Sequence, residues 1–210
     1  MTSKHQMAIS DAHIILLVDE SGSMDAIRSD IRGSINKFIR EQQQLGVDKS
    51  TLTLAKFSNN VKYVYEKKPL QEVKELSEAE YKPSNGTALY DAVGMTVNKY
   101  DRDEHVIMVI VTDGEENGSQ EYRQKDIKDM IAKKQVSGWK FIYLSADITT
   151  ARQGDGLSMQ SCAYGVNNAA TNNIAVGFQA LASNLERACS DAVSGYRSKG
   201  KMSGMGPGGY

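Results

Sequence analysis

The chain has 210 residues, 40% of them hydrophobic and 24% charged, which fits one ordinary soluble domain with a full core. Twenty-five basic residues against 26 acidic ones leave a net charge of −1 and no basic stripe, so nothing in the charge balance argues for a nucleic-acid partner, and none is expected. No apolar run approaches a membrane span and Met1 to Ala12 holds no signal-like segment; Cys162 and Cys189, outside any CxxC, read as buried thiols of a reduced, cytoplasmic protein.

Ile14 to Val18 is a continuous apolar run, as expected of a central strand buried on both faces, and Asp19 closes it. Ile27, Ile31, Ile35, Phe38 and Leu45 form a helical stripe with Gly46 at the expected stop. Thr51 to Phe57 and Val61 to Glu66 read as strands joined by the turn Ser58-Asn59-Asn60, a hairpin that sets one strand antiparallel to the rest. Lys67 to Ser84 is charged and loop-like, with one helical turn expected near Leu70 to Leu76. Beyond the Asn85-Gly86-Thr87 loop, Leu89, Val93, Val97 and Tyr100 mark the next helix.

His105 to Thr112 is another strongly apolar strand, closed by Asp113. A polar loop leads to a helix carrying Ile127, Met130 and Ile131, with Gly138 just past its end. Trp139 to Ala146 reads as a strand ending at Asp147, Thr149 to Gly156 as a short helix, and Ser161 to Val166 as an edge strand. The spacing of Ile174, Phe178, Leu181, Leu185, Ala188, Ala192 and Tyr196 predicts a long last helix. Ser198 to Tyr210, with five glycines and almost no core-forming residue, reads as a flexible tail.

Strands alternating with helices make an α/β fold with a mostly parallel sheet. Such sheets bind ligands outside the carboxyl ends of their strands, where the strand order switches. Asp19 and Asp113 both close buried strands at that end, so their loops can meet. Asp19-Glu20-Ser21-Gly22-Ser23 points one charged and two neutral hard oxygens at one place, a set that suits Mg²⁺, Mn²⁺ or Ca²⁺ and not zinc. Glu20, Asp25, Asp91, Glu115 and Glu116 are close enough in sequence to add to a negative field there. Taken singly, Ser21, Ser23 and Thr87 have a duller reading as helix caps, and Asp113 as the opening of a turn with Gly114. Asp147 reads as a rim residue of the same edge or as a helix cap.

Three segments in this order, Asp19-Glu20-Ser21-Gly22-Ser23-Met24, Gly86-Thr87-Ala88-Leu89-Tyr90-Asp91-Ala92 and Val111-Thr112-Asp113-Gly114-Glu115, resemble the metal-ion-dependent adhesion site of the von Willebrand factor A domain family. The resemblance covers about residues 12 to 196, leaving a polar arm at 1–11 and the tail at 197–210. It implies a Rossmann-like, doubly wound sheet with one antiparallel edge strand and helices on both faces. It also implies that Asp19, Ser21, Ser23, Thr87 and Asp113 hold a divalent cation, Mg²⁺ first, with Mn²⁺ or Ca²⁺ as alternatives. Mg²⁺ takes roughly six oxygens, so a carboxylate from a partner protein can complete the shell.

The function implied is a non-enzymatic, metal-dependent protein-binding module, most like the small stand-alone bacterial or phage members. Those work beside ATPases or in assembly and stress-response systems, which suggests the kind of partner. An alternative is a structural or self-assembly protein acting through the last helix and tail. A remoter one is a metal-dependent phosphohydrolase with Asp19 as nucleophile, but no general acid or base and no phosphate loop can be identified for it. Asp113-x-Glu115-x-Asn117-Gly118 looks like the start of a calcium loop, yet the twelfth position is Gln124 where a bidentate glutamate is needed. His5, His13 and His105 lack ligand spacing and read as structural or exposed.

Overall fold

A computed structural model describes residues 12–44, 49–145 and 148–163. Strands His13–Asp19 (β1), Thr51–Phe57 (β2), Val61–Pro69 (β3), Val106–Thr112 (β4), Lys140–Ser145 (β5) and Gln160–Ala163 (β6) form one sheet in the order β3-β2-β1-β4-β5-β6. Every neighbouring pair is parallel except β2 with the edge strand β3, which is antiparallel. The hairpin expected around Ser58-Asn59-Asn60 is therefore present. Helices Arg28–Gln44 (α1), Leu89–Lys99 (α2), Gln124–Val136 (α3) and Ile148–Gly156 (α4) make the crossovers.

Side chains alternate across the central strand, as the strand period requires. Ile14, Leu16 and Val18 of β1 pack with Ile31, Ile35, Phe38 and Ile39 of α1, while Ile15 and Leu17 pack with Val93 and Val97 of α2 and Ile127 and Ile131 of α3. All seven β1 residues and all seven β4 residues are buried, the reason both read as unbroken apolar runs. From β1 the chain winds outward to β2 and β3, then crosses back to β4 on the other side of β1. The strand order thus reverses between β1 and β4, and their carboxyl-terminal loops frame a crevice there.

Some expectations shift. The first helical stripe begins as a 3₁₀ segment, Gly22–Ile27, before α1 takes over. Strand β3 continues past Glu66 to Pro69. It passes an irregularity in the pairing where Lys67 adopts φ 44° and its N–H donates to Thr53 Oγ1 at 3.0 Å. Residues 67–84 do carry short 3₁₀ turns, Leu70–Glu72 and Glu78–Glu80, but they are not a solvated loop. Leu70, Val73, Leu76 and Tyr81 are buried against the α1 face.

Leu45, Gly46, Asp147, the last helix and the tail lie outside the described residues. Among the described residues no helix is long and apolar enough to cross a membrane.

Candidate metal centre

Asp19, the last residue of β1, is fully buried. Its Oδ1 accepts the Ser21 N–H at 2.7 Å, and its Oδ2 accepts the Thr112 hydroxyl at 2.6 Å. Burial pushes its carboxyl up to about 6; the hydrogen bonds from Thr112 and Ser21 pull the other way, and the charge of Asp113 adds to the rise. A buried carboxylate held this far from its ordinary value is one that a nearby cation would relieve.

The rest of the cluster follows from the loop. Ser21 Oγ lies 3.1 Å from Ser23 Oγ, and Ser23 Oγ donates to Asp113 Oδ1 at 2.8 Å. The capping alternatives for Ser21 and Thr87 fail on geometry. Ser21 sits at the N-terminus of the 3₁₀ segment but makes no side-chain cap, and α2 is entered through Ala88, not Thr87. At the Asp113-Gly114 turn the Gly114 N–H is taken by Thr112 Oγ1 at 3.0 Å.

Thr87 joins the group through Gly114. A β-carbon placed on Gly114 would lie 3.0 Å from Thr87 Oγ1, 3.4 Å from Asp19 Oδ2 and 3.5 Å from Ser23 Oγ. Three of the five expected oxygens therefore converge on one small space that glycine leaves open. Asp113 and Ser21 are bonded to the same Ser23 hydroxyl. The donor set is two carboxylates and three hydroxyls, hard oxygens throughout, which suits a divalent cation of the Mg²⁺, Mn²⁺ or Ca²⁺ type.

The segment before Thr87 is strapped to the Asp19 loop. Tyr81, fully buried, donates its hydroxyl to the Asp19 carbonyl at 2.6 Å. Ser84 N–H donates to the Glu20 carbonyl at 2.8 Å, and Gly22 N–H to the Asn85 carbonyl at 3.0 Å. The Glu20 carboxylate accepts Lys82 N–H at 2.7 Å and pairs with Lys56 Nζ at 2.7 Å, both side chains of the pair being 11% exposed. Lys56 also reaches the Glu80 carbonyl. On the other flank, Thr87 N–H donates to Asn117 Oδ1 at 2.9 Å, and the Thr87 carbonyl accepts the N–H groups of Asn117 and Gly118.

Several acids near the site are committed elsewhere. Glu116 accepts the N–H groups of Tyr90, Gly118 and Ser119 and the Ser119 hydroxyl. Asp91 accepts the N–H groups of Gln120, Glu121 and Tyr122. Together they fold the loop after β4 onto α2, and Glu20 is matched by Lys56. The supporting roles of Thr112, Tyr81, Asn117 and Asn59, whose Oδ1 accepts the Gly86 N–H at 3.1 Å, were not foreseen from the sequence. Thr112 had a local signal, its place directly before Asp113; the other three act through long-range contacts.

The model of the von Willebrand factor type A domain matches residues 13–187. Similar solved structures include the PilB minor pilin from Streptococcus sanguinis, 14% identical with a TM-score of 0.61 over 84% of this chain and 61% of that one. Proximal thread matrix protein 1 from the mussel byssus, in a form with a zinc-occupied MIDAS motif, is 16% identical with a TM-score of 0.54 over 81% of this chain and 47% of that one. The chain spans less than two thirds of either protein. The conserved hypothetical protein BatB from Bacteroides thetaiotaomicron is 14% identical with a TM-score of 0.50, over 87% of this chain and 99% of that one. At these identities the likeness is one of fold. A comparison with curated proteins finds no match.

Proposed function

Because the chain belongs to the von Willebrand factor type A domain family, we propose that it is a protein-binding module whose Asp19, Ser21, Ser23, Thr87 and Asp113 hold a divalent cation that a partner's carboxylate completes. The observation that carries this reading is the convergence of Thr87, Asp19 and Ser23 oxygens on the space beside Gly114. The bound cation supplies a positive charge with one coordination position open to an outside oxygen. Asp19 and Asp113 supply the negative charge that retains it, and the three hydroxyls fill positions without adding charge. Ser23 is exposed, which puts the open side of the cluster at the surface, while Asp19 and Ser21 are buried beneath it.

Mg²⁺ is the first metal to test, followed by Mn²⁺ and Ca²⁺. The zinc-occupied motif of the mussel protein adds Zn²⁺ to the panel, although oxygen-only donors favour the harder ions. A nucleophilic role for Asp19 is disfavoured, because both of its carboxyl oxygens are hydrogen-bonded and the residue is fully buried.

The test is capture of a partner from native lysate in Mg²⁺ and in EDTA, with Asp19→Ala as control. A partner retained only with metal and only by the wild type supports the bridge. A partner retained equally under all three conditions places the interface elsewhere and favours a scaffold acting through another surface.

A further inference from the structure

A groove of about 750 Å³ lies between the β2–β3 turn, the first turns of α2 and the loop around residues 117–121. Ala88, Ala92 and Met95 run along it, four and three residues apart on one face of α2. Met95 is 43% exposed, and Val136 is the only other large hydrophobic that stands exposed among the described residues. Asn59 and Asn60 line one side; Asn117, Gln120 and Glu121 line the other.

Two of these amides are held in place by the threonine loop. Asn59 Oδ1 accepts the Gly86 N–H at 3.1 Å and Asn117 Oδ1 accepts the Thr87 N–H at 2.9 Å. With each oxygen fixed on the loop, the NH₂ end of each amide is left as a donor to something else. An extended peptide presents carbonyls and N–H groups at a repeat of roughly 3.3 Å per residue, the pattern that side-chain amides can match. The lining includes two carboxylates, Asp91 and Glu121, and no lysine, arginine or histidine. Asp91 is engaged by three backbone N–H groups, whereas Glu121 is exposed. Charge complementarity therefore calls for a cationic occupant. The groove and the metal centre adjoin along the chain, since Thr87 belongs to one and Ala88 to the other.

We propose that this groove receives an extended segment of the partner protein, a few residues from the carboxylate that meets the metal, with a lysine or arginine directed at Glu121. The proposal rests on the metal-bridged reading above and adds the sequence rule by which a partner is chosen: an acid for the ion, a basic side chain for the groove and an apolar contact on Met95.

The experiment is selection of a displayed peptide library, a fixed aspartate with randomised positions on either side, on the full chain in Mg²⁺ and in EDTA. The expected result is a set of metal-dependent binders in which Lys or Arg is enriched about tenfold over Asp and Glu at one or two fixed offsets from the aspartate. A synthetic peptide of that consensus should lose about tenfold in affinity for Glu121→Gln and for Asn60→Ala, and its preference for Lys over norleucine should shrink only in Glu121→Gln. The Mg²⁺-induced rise in Tm, read on the same variants, separates a lost groove contact from a lost metal. Metal-dependent binders without a basic preference, or with the same affinity for both variants, overturn the groove and leave the metal bridge standing. A library that yields no metal-dependent binder overturns the bridge and the groove with it.

Discussion

Thr112 Oγ1 donates to Asp19 Oδ2 across 2.6 Å, tying the last residue of β4 to the last residue of β1 beneath the candidate metal centre. Thr112→Val keeps the volume and removes the donor. A buried acceptor that loses one partner costs about 1–3 kcal/mol, and outer partners of metal ligands are worth about 10–100-fold in affinity. Urea unfolding in EDTA should show the first loss, and titration calorimetry with Mg²⁺ the second. Unchanged Mg²⁺ affinity in Thr112→Val would show that Asp19 is positioned without this bond.

Gly114→Ala tests the space itself. The added methyl would lie within 3.5 Å of Thr87, Asp19 and Ser23 oxygens, and Gly114 has no positive φ that alanine would strain. The wild type should gain about 2.7 kcal/mol at a Mg²⁺ concentration one hundred times Kd, or roughly 5–10 °C in Tm for a chain of this size. Gly114→Ala and Asp19→Ala should lose that gain, and in EDTA Gly114→Ala should cost about 1 kcal/mol, because the Thr87 hydroxyl must yield to the added methyl. A full Mg²⁺ shift in Gly114→Ala would move the ion away from this point.

Glu20 and Lys56 form a nearly buried pair at 2.7 Å that also binds the strap at Lys82 and Glu80. Removing one partner of such a pair leaves an unmatched charge and costs about 3–5 kcal/mol. Glu20→Ala should therefore destabilise the protein by that order, and Glu20→Ala with Lys56→Met by clearly less than the sum of the two single changes. Additive single changes in a double-mutant cycle would mean the pair is not coupled.

His13 opens β1 at the end of the sheet opposite the candidate metal centre, 6% exposed, with Nδ1 donating to Asp103 Oδ2 at 2.8 Å and Nε2 within hydrogen-bond distance of Thr53 Oγ1 at 2.7 Å. Burial holds its pKa below the ordinary 6.5, against the pull of Asp103. The unfolded chain then takes up a proton at a higher pH than the folded one. The stability His13 contributes is full above pH 6.5 and is lost as pH falls from there towards the folded pKa. Between pH 8 and 5 in EDTA, the Tm of the wild type should fall more steeply than that of His13→Gln. Other titrations are common to both proteins and cancel in the difference; parallel curves would remove His13 as the cause.

The sheet was legible where burial is two-sided. The apolar runs of β1 and β4, each closed by an aspartate, revealed the central strands and the edge at which ligands gather, and the Ser58-Asn59-Asn60 turn revealed the antiparallel pair. Residues 67–84 were not legible. Leu70, Val73, Leu76 and Tyr81 are spaced three, three and five apart among charges, a pattern with neither helical nor strand period, so their burial depends on contacts with α1 that no local window contains. The same limit hid Tyr81, which meets Asp19 from 62 positions away, and Asn117, which meets Thr87 from 30. Asp91 and Glu116 were legible as acids but not as loop staples, because their acceptors' work is set by backbone N–H groups in another segment.

Thr112 and Asp19 are separated by 93 positions in the chain, and Ser23 and Asp113 by 90. During synthesis, the DESGS loop emerges long before the residues that complete the oxygen cluster around it. If this cluster holds the ion, none can be captured until β4 has left the ribosome and inserted beside β1, so metal would not template the early half of folding. On the proposed reading, uptake of an ion would report that the centre of the sheet is finished, and an incompletely folded chain would be silent towards any partner that needs the metal.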